Sequence, residues 1–85
     1  IEINPRDADT YNNRGNAKEE LEDYYGAIAD YTKAIEINPN YRNAYKNRGI
    51  AKENLGDMQG ACSDWRKASE LGDQNTAQWV RNQCN

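Results

Sequence analysis

Tyr11-Asn12-Asn13-Arg14-Gly15-Asn16-Ala17-Lys18-Glu19 returns 34 residues later as Tyr45-Lys46-Asn47-Arg48-Gly49-Ile50-Ala51-Lys52-Glu53. The same offset carries Leu21 onto Leu55, and Asp23, Gly26, Ala27, Asp30, Lys33, Ala34 and Glu36 onto Asp57, Gly60, Ala61, Asp64, Lys67, Ala68 and Glu70. It also lays Ile1-Glu2-Ile3-Asn4-Pro5 on Ile35-Glu36-Ile37-Asn38-Pro39. One period therefore accounts for almost the whole chain. A repeat of this length, with apolar positions at helical spacing and no run of alternating apolar residues, describes two helices and a turn per unit. Such units bury their apolar stripes by stacking on one another.

The residues carry a family resemblance. The tetratricopeptide repeat has a large residue at its fourth position, Gly or Ala at the eighth, Ala at the twentieth, an aromatic at the twenty-fourth, Ala at the twenty-seventh and Pro at the thirty-second. Tyr11, Gly15, Ala27, Tyr31, Ala34 and Pro39 match this in the first unit, and Tyr45, Gly49, Ala61, Trp65 and Ala68 in the second. The resemblance implies an all-α fold of antiparallel helix-turn-helix repeats stacked as an α-α superhelix, here with five helices. Gly15 and Gly49 are expected where paired helices cross, the four alanines where backbones approach closely, and Tyr31 or Trp65 between hairpins. Pro39 cannot continue a helix and should close the first hairpin.

The layout that follows places helices at about residues 9–21, 24–37, 43–55 and 58–71. Gly72 then acts as a left-handed stop, and a last helix runs from Asn75 or Thr76 through Trp79 and Cys84. In units, residues 1–6 read as the tail of a truncated preceding repeat, 7–41 and 42–74 as two repeats, and 75–85 as a capping helix with a polar outer face. On this reading the chain is a section of a longer array, and the face around Tyr11, Ala17 and Tyr24 is uncovered and open to self-association.

Two departures from the family pattern stand out. Arg14 and Arg48 occupy its seventh position, usually Leu, and Lys18 and Lys52 its eleventh, usually aromatic. Arg14 could pair with Asp30 across its hairpin, and Arg48 with Asp64, since the partners repeat together; such a buried pair sets register more than it adds stability. Alternatively the arginines snorkel to solvent on the Leu21 and Leu55 side.

Composition narrows the function. The apolar fraction is 36% and the net charge −3, with both signs interspersed, so there is no basic patch for a nucleic-acid backbone. No apolar run approaches the roughly 20 residues of a membrane span, and the N-terminal residues do not read as a signal peptide, so a soluble, cytoplasmic protein is the default expectation. With no histidine, no Gly-x-Ser-x-Gly and no phosphate-cradling loop, neither catalytic residues nor a metal or cofactor site is expected. Glu19, Glu20 and Glu53 could be drawn as an acidic site, but charge runs on helices are ordinarily solvated faces. Cys62 and Cys84 read as reduced packing residues of a cytosolic protein. The competing reading is a disulfide tying the last helix to the one before it, which Cα separation decides.

What the family implies instead is a concave groove lined by the first helix of each hairpin, binding a protein or peptide. By register the lining is Asp9, Asn12, Asn13, Asn16, Glu19 and Glu20, then Asn43, Lys46, Asn47, Ile50, Glu53 and Asn54, then Ala77, Val80, Arg81 and Cys84 from the cap. Amides dominate, and they hydrogen-bond an extended backbone as donors and as acceptors. One co-chaperone subgroup of the family grips a chaperone tail's C-terminal carboxylate with two lysines, two asparagines and an arginine. Asn16, Asn47 and Arg81 fall on three of those positions, but Asn12 and Ala77 replace the lysines, so the clamp is incomplete and the nearby glutamates would repel an acidic tail. Asn13 and Asn47, present in both repeats, could equally be structural. A stacking or oligomerisation unit with no ligand of its own is the second reading.

Overall fold

Each helix boundary is written in local chemistry. The computed structural model describes residues 6–84 and contains α1 (Ala8–Glu20), α2 (Tyr24–Ile37), α3 (Arg42–Asn54), α4 (Met58–Glu70) and α5 (Gln74–Gln83). The expected boundaries hold to within one or two residues. The truncated repeat expected at the N-terminus falls, over residues 1–5, outside the described part.

Three of the four connections use one device. At Leu21-Glu22-Asp23 the Glu22 N–H donates to Glu19 O at 2.9 Å and the Asp23 N–H to Lys18 O at 2.8 Å. This double bond back into the last turn satisfies carbonyls that a helix end would otherwise orphan, and it needs a left-handed residue at its centre. Leu55-Gly56-Asp57 and Leu71-Gly72-Asp73 repeat it, with φ of 84° at Gly56 and 104° at Gly72; Glu22 takes the same conformation at 61° without glycine's freedom. The aspartate that ends each motif then caps the next helix. Asp23 accepts from Gly26 N–H at 3.0 Å, Asp57 from Gly60 N–H at 2.9 Å and Asp73 from Thr76 N–H at 2.9 Å. Asp73 is why α5 begins before Asn75. Between α2 and α3, where Pro39 stands, Tyr41 precedes the helix and offers no side-chain cap.

α1 pairs with α2 and α3 with α4 as antiparallel hairpins; α3 then packs on α2 and α5 on α4, in a stack of 40 × 25 × 16 Å. The seam is built from small residues around two large rings. Ala27, Ala34, Ala44, Ala51, Ala61 and Ala68 are fully buried, with Tyr31 and Trp65 between the hairpins as expected. A Cβ on Gly15 would stand 2.7 Å from Tyr31 Cε1, and one on Gly49 2.6 Å from Trp65 Cδ1, so each glycine is the recess that admits its repeat's ring. Trp79 of α5 meets Trp65 edge to face, with centroids 5.2 Å apart.

The arginines pair across their hairpins. Arg14 Nε and Nη2 donate to Asp30 Oδ2 and Oδ1 at 2.8 and 2.7 Å, and Arg48 does the same to Asp64 at 2.8 and 2.7 Å. The lysines at the second departing position join them: Lys18 Nζ stands 3.1 Å from Asp30 and Lys52 Nζ 3.0 Å from Asp64. Each buried carboxylate is thus held by two cations, and the Arg14 and Arg48 guanidinium groups lie over the Tyr11 and Tyr45 rings.

The cysteines are not reduced. Cys62 of α4 and Cys84, just past α5, form a disulfide with Cα atoms 5.8 Å apart, so the reduced reading is corrected. Packing α5 on α4 brings within bonding distance two residues whose separation in sequence reveals nothing of their proximity.

Candidate binding groove

α1 and α3 touch one another while α2 and α4 approach less closely, which puts the first helices of the hairpins on the inner side of the curve. Here four of the expected groove residues, Asn12, Asn16, Glu19 and Asn47, form one hydrogen-bonded network through Tyr31. Asn47 Nδ2 donates to Asn16 Oδ1 at 3.2 Å and to Asn12 Oδ1 at 3.4 Å, bridging the two helices. Asn16 Oδ1 also accepts from the Tyr31 hydroxyl at 2.7 Å, which reaches Glu19 at 3.1 Å as well. The network uses Asn47 Nδ2 as a donor and Asn16 Oδ1 as an acceptor, and each amide keeps a second polar atom, Asn16 Nδ2 and Asn47 Oδ1, outside these bonds.

The other expected residues are placed less uniformly. Asn12 is buried and serves the wall rather than its surface. Asn13, Glu20, Glu53 and Arg81 are exposed, whereas Asn16, Glu19, Lys46, Asn47 and Ile50 are half-buried. Asn43 is exposed, and Asn54 Nδ2 donates to Ile50 O within its own helix. Cys84 does not belong to the lining: its sulfur is bonded to α4. Two tyrosines that register arguments do not pick out complete the wall. The Tyr31 hydroxyl anchors Asn16, and Tyr41, just before α3, donates to Asp9 at 2.6 Å across the hairpins. The only sequence signal for either is an aromatic bearing a hydroxyl, and Tyr31 reads equally well as packing alone.

Electrostatics follow from these contacts. Burial raises the Glu19 carboxyl above its ordinary value, partly offset by the Tyr31 hydrogen bond, and both burial and the Glu19 charge push the Tyr31 hydroxyl up. Tyr41, partly buried and donating to Asp9, is pushed up to about 12. The Thr10 hydroxyl lowers Asp7. Burial works to raise Asp30 and Asp73, but hydrogen bonds from Arg14 and Lys18, and from Thr76, hold both below the ordinary 3.8.

A lowered carboxyl contributes stability above its unfolded pKa and loses it as pH falls through the folded one. Three lowered aspartates oppose one raised glutamate, so the urea midpoint should fall as pH drops below about 4. Tyr41, whose folded pKa is raised, contributes stability below pH 10 that is lost as pH climbs through about 12, giving a second, alkaline limb. Urea titrations monitored by circular dichroism between acid and alkaline pH check both; a midpoint flat into acid would mean the aspartates titrate alike folded and unfolded.

Among the described residues, no helix is long and apolar enough to cross a membrane, and no group of three His, Cys, Asp or Glu side chains could hold a metal ion.

Comparison with known proteins places this geometry. The tetratricopeptide repeat family model matches residues 8–41. No curated protein matches the chain. Among solved structures it is similar to the first tetratricopeptide domain of Spaghetti (RPAP3), bound to the HSP90 peptide SRMEEVD, at 26% identity and a TM-score of 0.86. The match covers 93% of this chain and 64% of that one. This fold is generally a module for protein interaction rather than catalysis. With a family match over the first hairpin, the same residues repeated 34 positions later in the second, and a stack similar to a peptide-bound domain of this family, the chain has the tetratricopeptide-repeat fold.

Proposed function

We propose that the chain is a non-catalytic adaptor whose groove holds an extended protein segment, with Asn16 and Asn47 binding its backbone. The observation that carries this is the amide network: its internal bonds orient Asn16 Nδ2 and Asn47 Oδ1 and leave them unspent, matching the C=O and N–H of a peptide unit. Lys46, Ile50, Glu53, Asn13 and Arg81 would set side-chain preference around that core.

The similar structure's ligand, SRMEEVD, is an acidic peptide, but Asn12 and Ala77 stand here where a carboxylate clamp needs lysine, and Glu19, Glu20 and Glu53 make the groove acidic. We therefore propose that neutral or basic segments bind, and that a free C-terminus is not required. The disulfide favours an oxidising compartment over the cytoplasmic default.

The test is a titration following Trp65 and Trp79 fluorescence with acidic and basic peptides, each with a free and an amidated terminus. Basic peptides should bind whichever terminus they carry, and Asn16→Ala with Asn47→Ala should weaken binding about tenfold, as expected for two hydrogen bonds lost. Binding only of free-terminus acidic peptides would replace this reading with the clamp.

A second reading has its own observation. Leu21 is 81% and Tyr25 76% exposed on the α1–α2 end, whereas Ala51, the repeat counterpart of the exposed Ala17, is sealed by α2. If no peptide binds and the molar mass rises with concentration, self-association through that end takes over.

A further inference from the structure

α5 is a short helix with little of its own to hold it. Of its ten residues only Thr76 is buried, and Trp79 adds one edge-to-face contact with Trp65. An isolated helix needs roughly 12–15 residues to be even marginally stable in water, so α5 depends on its dock. Its N-terminus is tied by the Asp73 cap and its C-terminus by Cys84, whose N–H closes the last turn on Val80 O at 3.0 Å. The sulfur of Cys84 then fastens that end to α4 at Cys62, which is 8% exposed. An open cleft of about 270 Å³, lined by Met58, Gln59, Cys62, Arg66, Gln83 and Cys84, gives access to the bond.

We propose that the Cys62–Cys84 disulfide is a redox clip that holds α5 on the stack, and that a dithiol reductant entering by this cleft releases the helix. The reductant's first thiolate attacks Cys84 Sγ, forming a mixed disulfide and expelling Cys62 as a thiolate that takes up a proton. Its second thiol attacks the mixed disulfide, freeing Cys84 as a thiol and leaving the reductant as its own disulfide. Two electrons and two protons pass from the dithiol to the cysteine pair. Arg66 at the cleft favours the thiolates that form along the way.

Release would uncover the Trp65 side of α4 and remove Ala77, Val80 and Arg81 from the end of the groove. This last consequence rests on the binding function proposed above; the release itself does not.

The experiment is hydrogen exchange by mass spectrometry on the whole chain, oxidised, reduced with dithiothreitol, and as the Cys62→Ala/Cys84→Ala variant, with peptide titrations on the same samples. Amides of α5 should lose about 100-fold in protection in the reduced and variant forms, since the tie that limits the open chain is gone. Those of α1 to α3 should be unchanged. If α5 protection stays within about threefold of the oxidised form, the clip is refuted, because packing alone then holds the helix. If α5 opens and peptide affinity falls with it, clip and groove both stand. If α5 opens but no peptide binds even the oxidised form, the clip stands and the binding function fails.

Discussion

Trp65→Ala should lower the free energy of unfolding by about 3–5 kcal/mol, enough to leave a chain of this size barely folded. The indole is 1% exposed and sits where three helices meet, its edge in the recess left by Gly49 and its ring edge-to-face with Trp79. Truncation would empty that volume, and neighbours already pinned by helix backbone cannot collapse into it. The ring also has an unusual feature: its Nε1 has no hydrogen-bond partner, whereas the hydroxyl of Tyr31, its counterpart in the first repeat, reaches both Asn16 and Glu19. Repeat register puts Ile50 where Asn16 stands, so the acceptor is missing. Trp65→Phe should therefore cost well under half as much as the alanine change, because it keeps most of the volume and removes an unsatisfied donor. Urea denaturation followed by circular dichroism measures both; equal costs would mean that the indole nitrogen is satisfied after all.

Asp64→Ala should cost about 3–5 kcal/mol, the range for removing one partner of a buried ion pair. Its carboxylate is 5% exposed, and its partners Arg48 and Lys52 are 17% and 22% exposed, so the change strands two cations with little access to water. Asp30→Ala removes the same chemistry from the first hairpin, but Arg14 and Lys18 are 37% and 32% exposed and can turn to solvent. The first-hairpin loss should be markedly smaller. Replacing Arg48, Lys52 and Asp64 together by apolar residues of similar volume should recover most of the loss, since desolvation of the charges disappears with their attraction. Equal costs for the two aspartates, by the same urea measurement, would show that attraction outweighs desolvation here.

The repeat was legible because its period is set by helix geometry and leaves identical residues at identical offsets. Arg14 and Asp30 could be paired on paper because they recur together as Arg48 and Asp64. Lys18 and Lys52 recur just as faithfully, yet their joining the same carboxylates depends on one more turn of helix lying along α2 or α4, which spacing alone does not supply. Glu22-Asp23 and Gly56-Asp57 read as plain turns and Gly72 as a left-handed stop; that the aspartate of each connection both closes one helix and caps the next shows only in the hydrogen bonds. In the groove, register anticipated that Asn16 and Asn47 would lie together, but Asn12 is drawn inward by the bridge from Asn47. The disulfide was least legible, because Cys84 lies past the last helix and its position depends on how α5 docks.

The carboxylate triads have one more consequence. Each closes within a single hairpin, whereas the side-chain bonds described between hairpins pair at least one uncharged group: Arg48 to Thr32 at 3.2 Å, Tyr41 to Asp9, and Asn47 to Asn12 and Asn16. Rigidity and curvature are thereby governed separately. A substitution at Thr32 or Asn12 can alter the pitch between neighbouring units while each unit keeps its own lock, so the bend of the surface can drift under selection without passing through an unfolded intermediate.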